Sequence, residues 1–372
     1  MSISRRIFIG SASIFLMNPS FASANSAAQT CPGVNPATGA RPALSSAAVD
    51  PSPRAAARPI PTQWRDTALE IIALFESGNR DRLSAYGNVS ATDVISLGYL
   101  QWNHNTGSLY DTLLRGASAQ MIEAAPTYIR SDIRELSRVL SGGTSRARAR
   151  AILESWKTSG GALQPEASRA IRTWLLAEPM RRRQDELLDR RLTSALGRAD
   201  AWQQAFGMPI DDKSAQRAFY SFVDIEVFNG DLDGLWAQHV KDFRSRFRDD
   251  MQLMDHIVGW VSECAAFEFK GQVHKDGGKY TPQFKKLYRW KETPLSVADW
   301  RERLAAGDPA VDRSAMNLII LGYLRALRSN GKDAPRGFAG VFELDVLNRR
   351  GMMATGRGVR SGQKTVSILY RL

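Results

Sequence analysis

The sequence predicts a mostly α-helical body carrying one small β-sheet. Three observations predict it. Apolar residues recur at helical spacing after residue 61, beginning with Trp64, Ala68, Ile71, Ile72 and Phe75. One short stretch, Ile95-Ser96-Leu97-Gly98-Tyr99-Leu100-Gln101-Trp102, is instead β-branched and aromatic, with turn-forming residues on both sides. The sequence shows no internal repeat, no GxGxxG and no P-loop that would point to a nucleotide-binding α/β fold.

The N-terminus comes first in chain order. Ser4-Arg5-Arg6-Ile7-Phe8-Ile9-Gly10 sets two adjacent arginines before an apolar run that ends near Met17. That run is far shorter than the ~20 residues a membrane-spanning helix needs. Pro19 closes it, and Ala22-Ser23-Ala24 supplies small residues for cleavage. A charged start, a short apolar core and an Ala-x-Ala site describe a signal peptide over residues 1–24. The Arg-Arg pair fits the twin-arginine type, which points to a bacterial chain that is periplasmic or secreted. An ordinary secretory signal is the alternative, and export is common to both.

Residues 25–60 are rich in Ala, Pro, Ser, Gly and Thr and hold little apolar surface to offset ordering entropy, so they read as a linker. The predicted body is 61–372. The net charge is +12, and removal of Arg5 and Arg6 with the signal leaves +10. Such a surface favours polyanions and disfavours a polycationic substrate. The basic residues are interleaved with acids, as in Arg181, Arg182, Arg183, Asp185 and Glu186, which reads as a solvated helix face laced with ion pairs. Charge alone would allow nucleic acid, but export and the lack of a nucleic-acid motif argue against a specific one. The oligomeric state is not legible. Cys31 and Cys264 permit a disulfide in an exported chain, two free thiols being the alternative. His104, His239, His256 and His274 show no metal-ligand spacing, so neither a metal nor a cofactor is expected.

The helical pattern predicts a first helix over 62–76, closed by Ser77-Gly78-Asn79. Further helices are predicted over 120–139, 145–157, 165–177, 180–205, 213–227, 233–248 and 251–268. The sharpest constellation lies between the first helix and the small sheet: Phe75-Glu76-Ser77-Gly78, then Asp93, then Ser96 to Asn103. Glycoside hydrolysis needs a carboxylic acid that stays protonated near neutral pH and a second group that acts at the anomeric carbon. Glu76 ends an apolar helix stripe, where the helix dipole and desolvation both raise a carboxyl pKa. Asp93 could face it. Tyr99, Gln101, Trp102 and Asn103 are residue types that stack on sugar faces and bond their hydroxyls. The plainer account makes Glu76 a solvated helix end, Asp93 a turn residue, and Tyr99 and Trp102 core.

The run Ile95-Ser96-Leu97-Gly98-Tyr99-Leu100-Gln101-Trp102-Asn103, placed after a helix ending in Phe75-Glu76, resembles an element of the lysozyme superfamily. More narrowly, it is similar to chitosanase-like glycoside hydrolases and related peptidoglycan-lytic proteins. Weaker similarities lie in Phe222–Gly230, in Val346–Gly351 and in Thr355–Gly358. The resemblance implies a two-lobed, lysozyme-like helical fold with the small sheet beside a cleft. It makes Glu76 the general acid and puts Ser96 where a hydroxyl helps hold the attacking water. An ungapped reading puts the family's second acid at Ala91, two residues before Asp93, so that role is open between Asp93 and Ser96.

The reading that unites these points is an exported glycosidase acting on β-1,4 linkages of peptidoglycan or a related amino-sugar polymer. Its partner is a polysaccharide, and the mature chain has no transmembrane segment. A cationic polyglucosamine fits a basic chain less well. The alternative is a non-catalytic wall-binding or interaction protein with the same fold. Recovered protein should begin near Asn25 and lie outside the cytoplasm, as N-terminal sequencing of periplasm or medium will show. Replacing Arg5 and Arg6 by Lys should block export by the twin-arginine route, and an intact Met1 in a soluble cytoplasmic pool would overturn the assignment.

Overall fold

The computed structural model describes residues 58–77, 80–91, 94–210, 212–229, 232, 234–269, 289–328, 339–360, 367–368 and 370. They are mostly helical with a small three-stranded sheet. The chain divides into two units, the first built on 61–192 and the second on 193–372 together with the residues just before Pro61.

The first unit opens with α1 (Thr62–Ser77), whose buried stripe is Leu69, Ile72, Ala73 and Phe75. The short α2 (Arg82–Tyr86) follows, nucleated by Asp81, whose carboxylate accepts from the Leu83 and Ser84 N–H groups at 3.1 and 3.2 Å. The sheet comes next, with β1 (Val89–Ser90), β2 (Ser96–Leu97) and β3 (Trp102–Asn103) in sequential antiparallel order. Ser96 pairs with Ser90 on one side and Asn103 on the other. A π-helical turn (Leu109–Leu113) leads into α3 (Ala119–Glu123), α4 (Thr127–Leu136), α5 (Arg146–Ser155) and α6 (Pro165–Leu176). The long α7 (Glu178–Phe206) contains the division between the units. The helix predicted over 120–139 is two helices, because Pro126 has no N–H to continue the first and instead caps the second.

The core of this unit joins the sheet to the helices. Ile95, Leu97 and Trp102 pack in one apolar cluster with Leu109, Tyr110, Ile129, Ile171 and Trp174. The indole of Trp174 donates to the Met121 carbonyl at 2.8 Å, so even the largest core side chain has its polar atom satisfied. Gln184 of α7 is fully buried. Its Oε1 accepts from the Tyr99 N–H at 2.9 Å and its Nε2 donates to the Leu175 carbonyl at 3.0 Å. Gly98 makes this approach possible. It sits at φ +72, and a Cβ there would stand 2.5 Å from Gln184 Oε1.

The second unit contains α8 (Lys213–Asp224), a π-helical turn (Ile225–Asn229), α9 (Ala237–Arg244), α10 (Asp250–Phe269), α11 (Arg289–Ala305), α12 (Arg313–Arg328), α13 (Ala339–Thr355) and the strand pair β4 (Arg357–Gly358) and β5 (Ser367–Ile368). Arg58, in the segment assigned to the linker, pairs with Asp200 through Nη2 at 2.9 Å, so the described body reaches back to that residue. Asp224 ends α8 in a buried position and takes two guanidinium groups, Arg349 at 2.9 Å and Arg350 at 3.2 Å. Burial, countered by Asp224, pushes Arg350 down to about 10. Helix α13 meets its neighbours at zero clearance. A Cβ on Gly351 would fall inside the Trp300 ring of α11, and a Cβ on Gly322 of α12 would stand 2.6 Å from Arg350 Cβ. The Trp300 indole is fixed by donating to the Arg357 carbonyl at 2.9 Å.

Replacing Gln184 with Met keeps the volume and removes both bonds, stranding a buried N–H and a buried C=O. Each stranded group costs about 1–3 kcal/mol, so Gln184→Met should destabilise the first unit by roughly 2–6 kcal/mol. Native-state hydrogen exchange should show the Tyr99 amide losing protection first. Unchanged Tyr99 exchange would mean the clamp is dispensable.

Candidate functional site

Each element around the predicted site can be traced to its residues. The helix α1 carries Phe75, 3% exposed, into the core, and Glu76 is its penultimate residue. The side chain of Glu76 and the whole of Asp93 lie outside the described residues. Cys31, the side chain of Cys264 and the signal and linker up to residue 57 lie outside them too.

Ser96 sits in β2 between its two partners and is buried. Gly98 to Gln101 form a tight turn, closed by the Gln101 N–H on the Gly98 carbonyl at 3.2 Å. Gln101 has φ +49 and folds its amide back on the same carbonyl, with Nε2 at 2.8 Å. Two left-handed residues in one turn aim the intervening ring inward. Tyr99 is 0% exposed, and its hydroxyl donates to the Leu69 carbonyl of α1. Its ring meets Tyr86 edge-on at 4.9 Å, and Tyr86 in turn donates to Asp185 of α7. Burial raises both phenols above their ordinary range. Trp102 is 4% exposed within the apolar cluster. Asn103 is also buried, and its Oδ1 accepts from the Thr106 N–H at 2.9 Å and the Thr106 hydroxyl at 3.0 Å.

The sequence sets Tyr99, Gln101, Trp102 and Asn103 beside a sugar. The structure holds all four in one turn-and-strand element, but the two rings are part of the core and present no open face. Asn103 builds the following loop, and Gln101 alone of the four remains partly exposed. The stacking role for Tyr99 and Trp102 is therefore replaced by a supporting one. They fasten the sheet to α1 and to the helices beneath it.

A polar group that sequence reasoning passed over lies beside this element. His104 follows Asn103 directly, and its Nδ1 is 2.6 Å from the Tyr110 hydroxyl. The Arg146 guanidinium lies 4.3 Å over the Tyr110 ring. Burial pushes the Tyr110 phenol up to about 12, with Arg146 opposing. His104 is held below its ordinary 6.5 by desolvation and then by Arg146 and Arg150. The signals in the sequence were the position of His104 next to Trp102-Asn103 and the alternation of Arg146, Arg148 and Arg150. Neither marks a spatial neighbour by spacing alone.

In the second unit, the weak similarity around Phe222–Gly230 falls on the buried Asp224 pair already described. A cavity beside it, lined by Ser221, Ile225, Leu321, Arg325 and Arg350, measures about 10 Å³ and holds a single water at most. It cannot take a sugar ring. Among the described residues, no three His, Cys, Asp or Glu side chains gather as a metal site, and no helix is long and apolar enough to cross a membrane.

No family model, no curated protein and no solved structure matches this chain.

The buried position of Trp102 separates two outcomes. Trp102→Ala should lower stability by about 3–5 kcal/mol, the cost of truncating a core aromatic. Thermal or chemical melts will read it. A sugar platform would instead lose ligand affinity with the melt unchanged.

Proposed function

We propose that this chain is an exported glycosidase that cleaves β-1,4 linkages in peptidoglycan or a related amino-sugar polymer, with Glu76 as its general acid. The observation that carries the proposal is the order and placement of elements in the first unit. Helix α1 ends at Glu76-Ser77, and the turn between β2 and β3 of the three-stranded sheet is bonded back to the middle of that helix, at Leu69, through Tyr99. The partial negative charge of a helix C-terminus favours the protonated form of a carboxyl, the form that a leaving oxygen needs. Ser96 or Asp93 would position the attacking water. The two-lobed lysozyme-like fold and the work outside the cytoplasm belong to the same proposal. They are supported by the sequence element Ile95–Asn103 and by the signal-like residues 1–24.

One observation favours a second reading. The aromatic rings that would stack on a sugar are buried, which leaves them a structural part and suits a non-catalytic protein whose wall or partner contacts lie elsewhere. The two readings part on one experiment. Purified mature protein is incubated with purified cell wall, and the soluble products are identified by mass spectrometry. The glycosidase reading expects wild-type turnover and a loss of about 10²–10⁴-fold or more in Glu76→Gln, with binding and folding retained. Equal lysis by a folded Glu76→Gln would remove Glu76 from the chemistry. Binding without products from the wild type would establish the second reading.

A further inference from the structure

His104, Tyr110 and Arg146 form a built group on the first unit. Tyr110 is the hub: it is 1% exposed, its hydroxyl bonds His104 Nδ1 and its ring carries Arg146. With Nδ1 committed to Tyr110, the other ring nitrogen of His104 has no partner among the described residues. The Arg146 side chain is 47% exposed even with one face on the ring, so part of its fork stays open. Arg150 lies one turn further along α5 and is 60% exposed. The charges facing His104 are Arg146, Arg150, Glu154 and Lys157, three cations against one carboxylate. Asp111 lies 3.5 Å from Arg146, and Glu154 stands 3.8 Å from Arg150 and 3.2 Å from Lys157. The Arg146 and Arg150 contacts are long and solvent-exposed, Lys157 is held more closely, and three cations against the carboxylates of Asp111 and Glu154 leave the patch electropositive.

We propose that His104, Arg146 and Arg150 form a carboxylate-binding subsite that takes the acidic peptide borne by the amino sugar of peptidoglycan. The inference rests on the proposed wall-polymer reading and narrows its substrate class: an uncharged glycan has nothing to offer this patch. His104 is bonded to Tyr110 and Arg146 stacks on the same ring, so both donors are partly ordered in advance and less side-chain entropy is lost when a carboxylate binds them. His104 follows the Trp102-Asn103 strand directly, which puts the subsite beside the sheet of the candidate catalytic element.

The test uses the mature Glu76→Gln protein, histidine-resolved NMR, and N-acetylmuramyl-L-alanyl-D-isoglutamine as the probe. The same compound with its carboxylate amidated, and a chitin oligomer, serve as controls. Of the four histidine signals, the one absent in His104→Gln should start below 6.5 and move upward on adding the acidic probe, because a bound anion favours the imidazolium. Neither control should move it. By linkage, the acidic probe should bind more tightly as pH falls from about 7 to about 5. Arg146→Gln and Arg150→Gln should each weaken it by up to about tenfold, and the exposed Arg150 variant guards against a folding artefact. No response of His104 to the acidic probe, or an equal response to its amide, overturns the subsite. Turnover of peptide-free glycan by the wild type with no His104 response would sink the subsite and leave the glycosidase reading standing. A His104 response with no turnover of any wall substrate would do the reverse.

Discussion

Gln184 is cut off from water and both ends of its side-chain amide are committed to backbone, one to the turn before β3 and one to the end of α6. The arrangement is neutral and fully satisfied, the condition under which a buried polar group adds definition to a core instead of destabilising it. Everything local to the candidate site follows from this clamp. With the Tyr99 N–H held from below, the ring must pass toward α1, where its hydroxyl finds Leu69. With the turn held, Trp102 enters the core on the next strand and Asn103 is left to organise the loop that carries His104. The middle of α1, the turn before β3 and α7 are thereby fixed to one another by hydrogen bonds at both ends of one tyrosine.

The second unit solves the same problem with charge. Asp224 pairs with two buried arginines, an arrangement in which desolvation offsets much of the attraction and removal of one partner is far more costly than replacement of all. The two units thus use opposite chemistries to pin a helix end: a dipolar amide in one, an ionic triad in the other.

Helices with an uninterrupted 3.6-residue stripe were legible, as α1, α5, α6, α7 and α10 show, because their buried faces recur within a single window. Pro126 was legible in principle as a break and was overridden by the apolar pattern on both sides of it. Helix α11 was not read at all. Pro294 lies inside it, and two of its polar residues are buried for a tertiary reason, Thr293 on the Leu344 carbonyl and Ser296 on the Val359 N–H. The small sheet was legible from its β-branched and aromatic run. The fate of its rings was not, since Tyr and Trp suit a sugar face and a core equally, and the arbiter, Gln184, is 85 residues away in the chain. The same distance problem hid the His104 group, whose members are ordinary residues until Tyr110 brings them together.

The contacts of α13 carry a consequence for motion. Trp300 occupies the space above Gly351, and the adjacent residue, Arg350, occupies the space beside Gly322, so the helix is keyed to α11 and α12 at consecutive positions. Packed helices ordinarily accommodate change by shear, small slides along their common interface. A slide along the helix axis would carry Gly351 out from beneath the indole and bring a side chain of the same face, Leu347 or Thr355, toward it, while Arg350 left its place beside Gly322. The three helices are therefore interlocked like teeth and can move only as a block, so any rearrangement inside this unit has to be taken up in its turns and shorter helices.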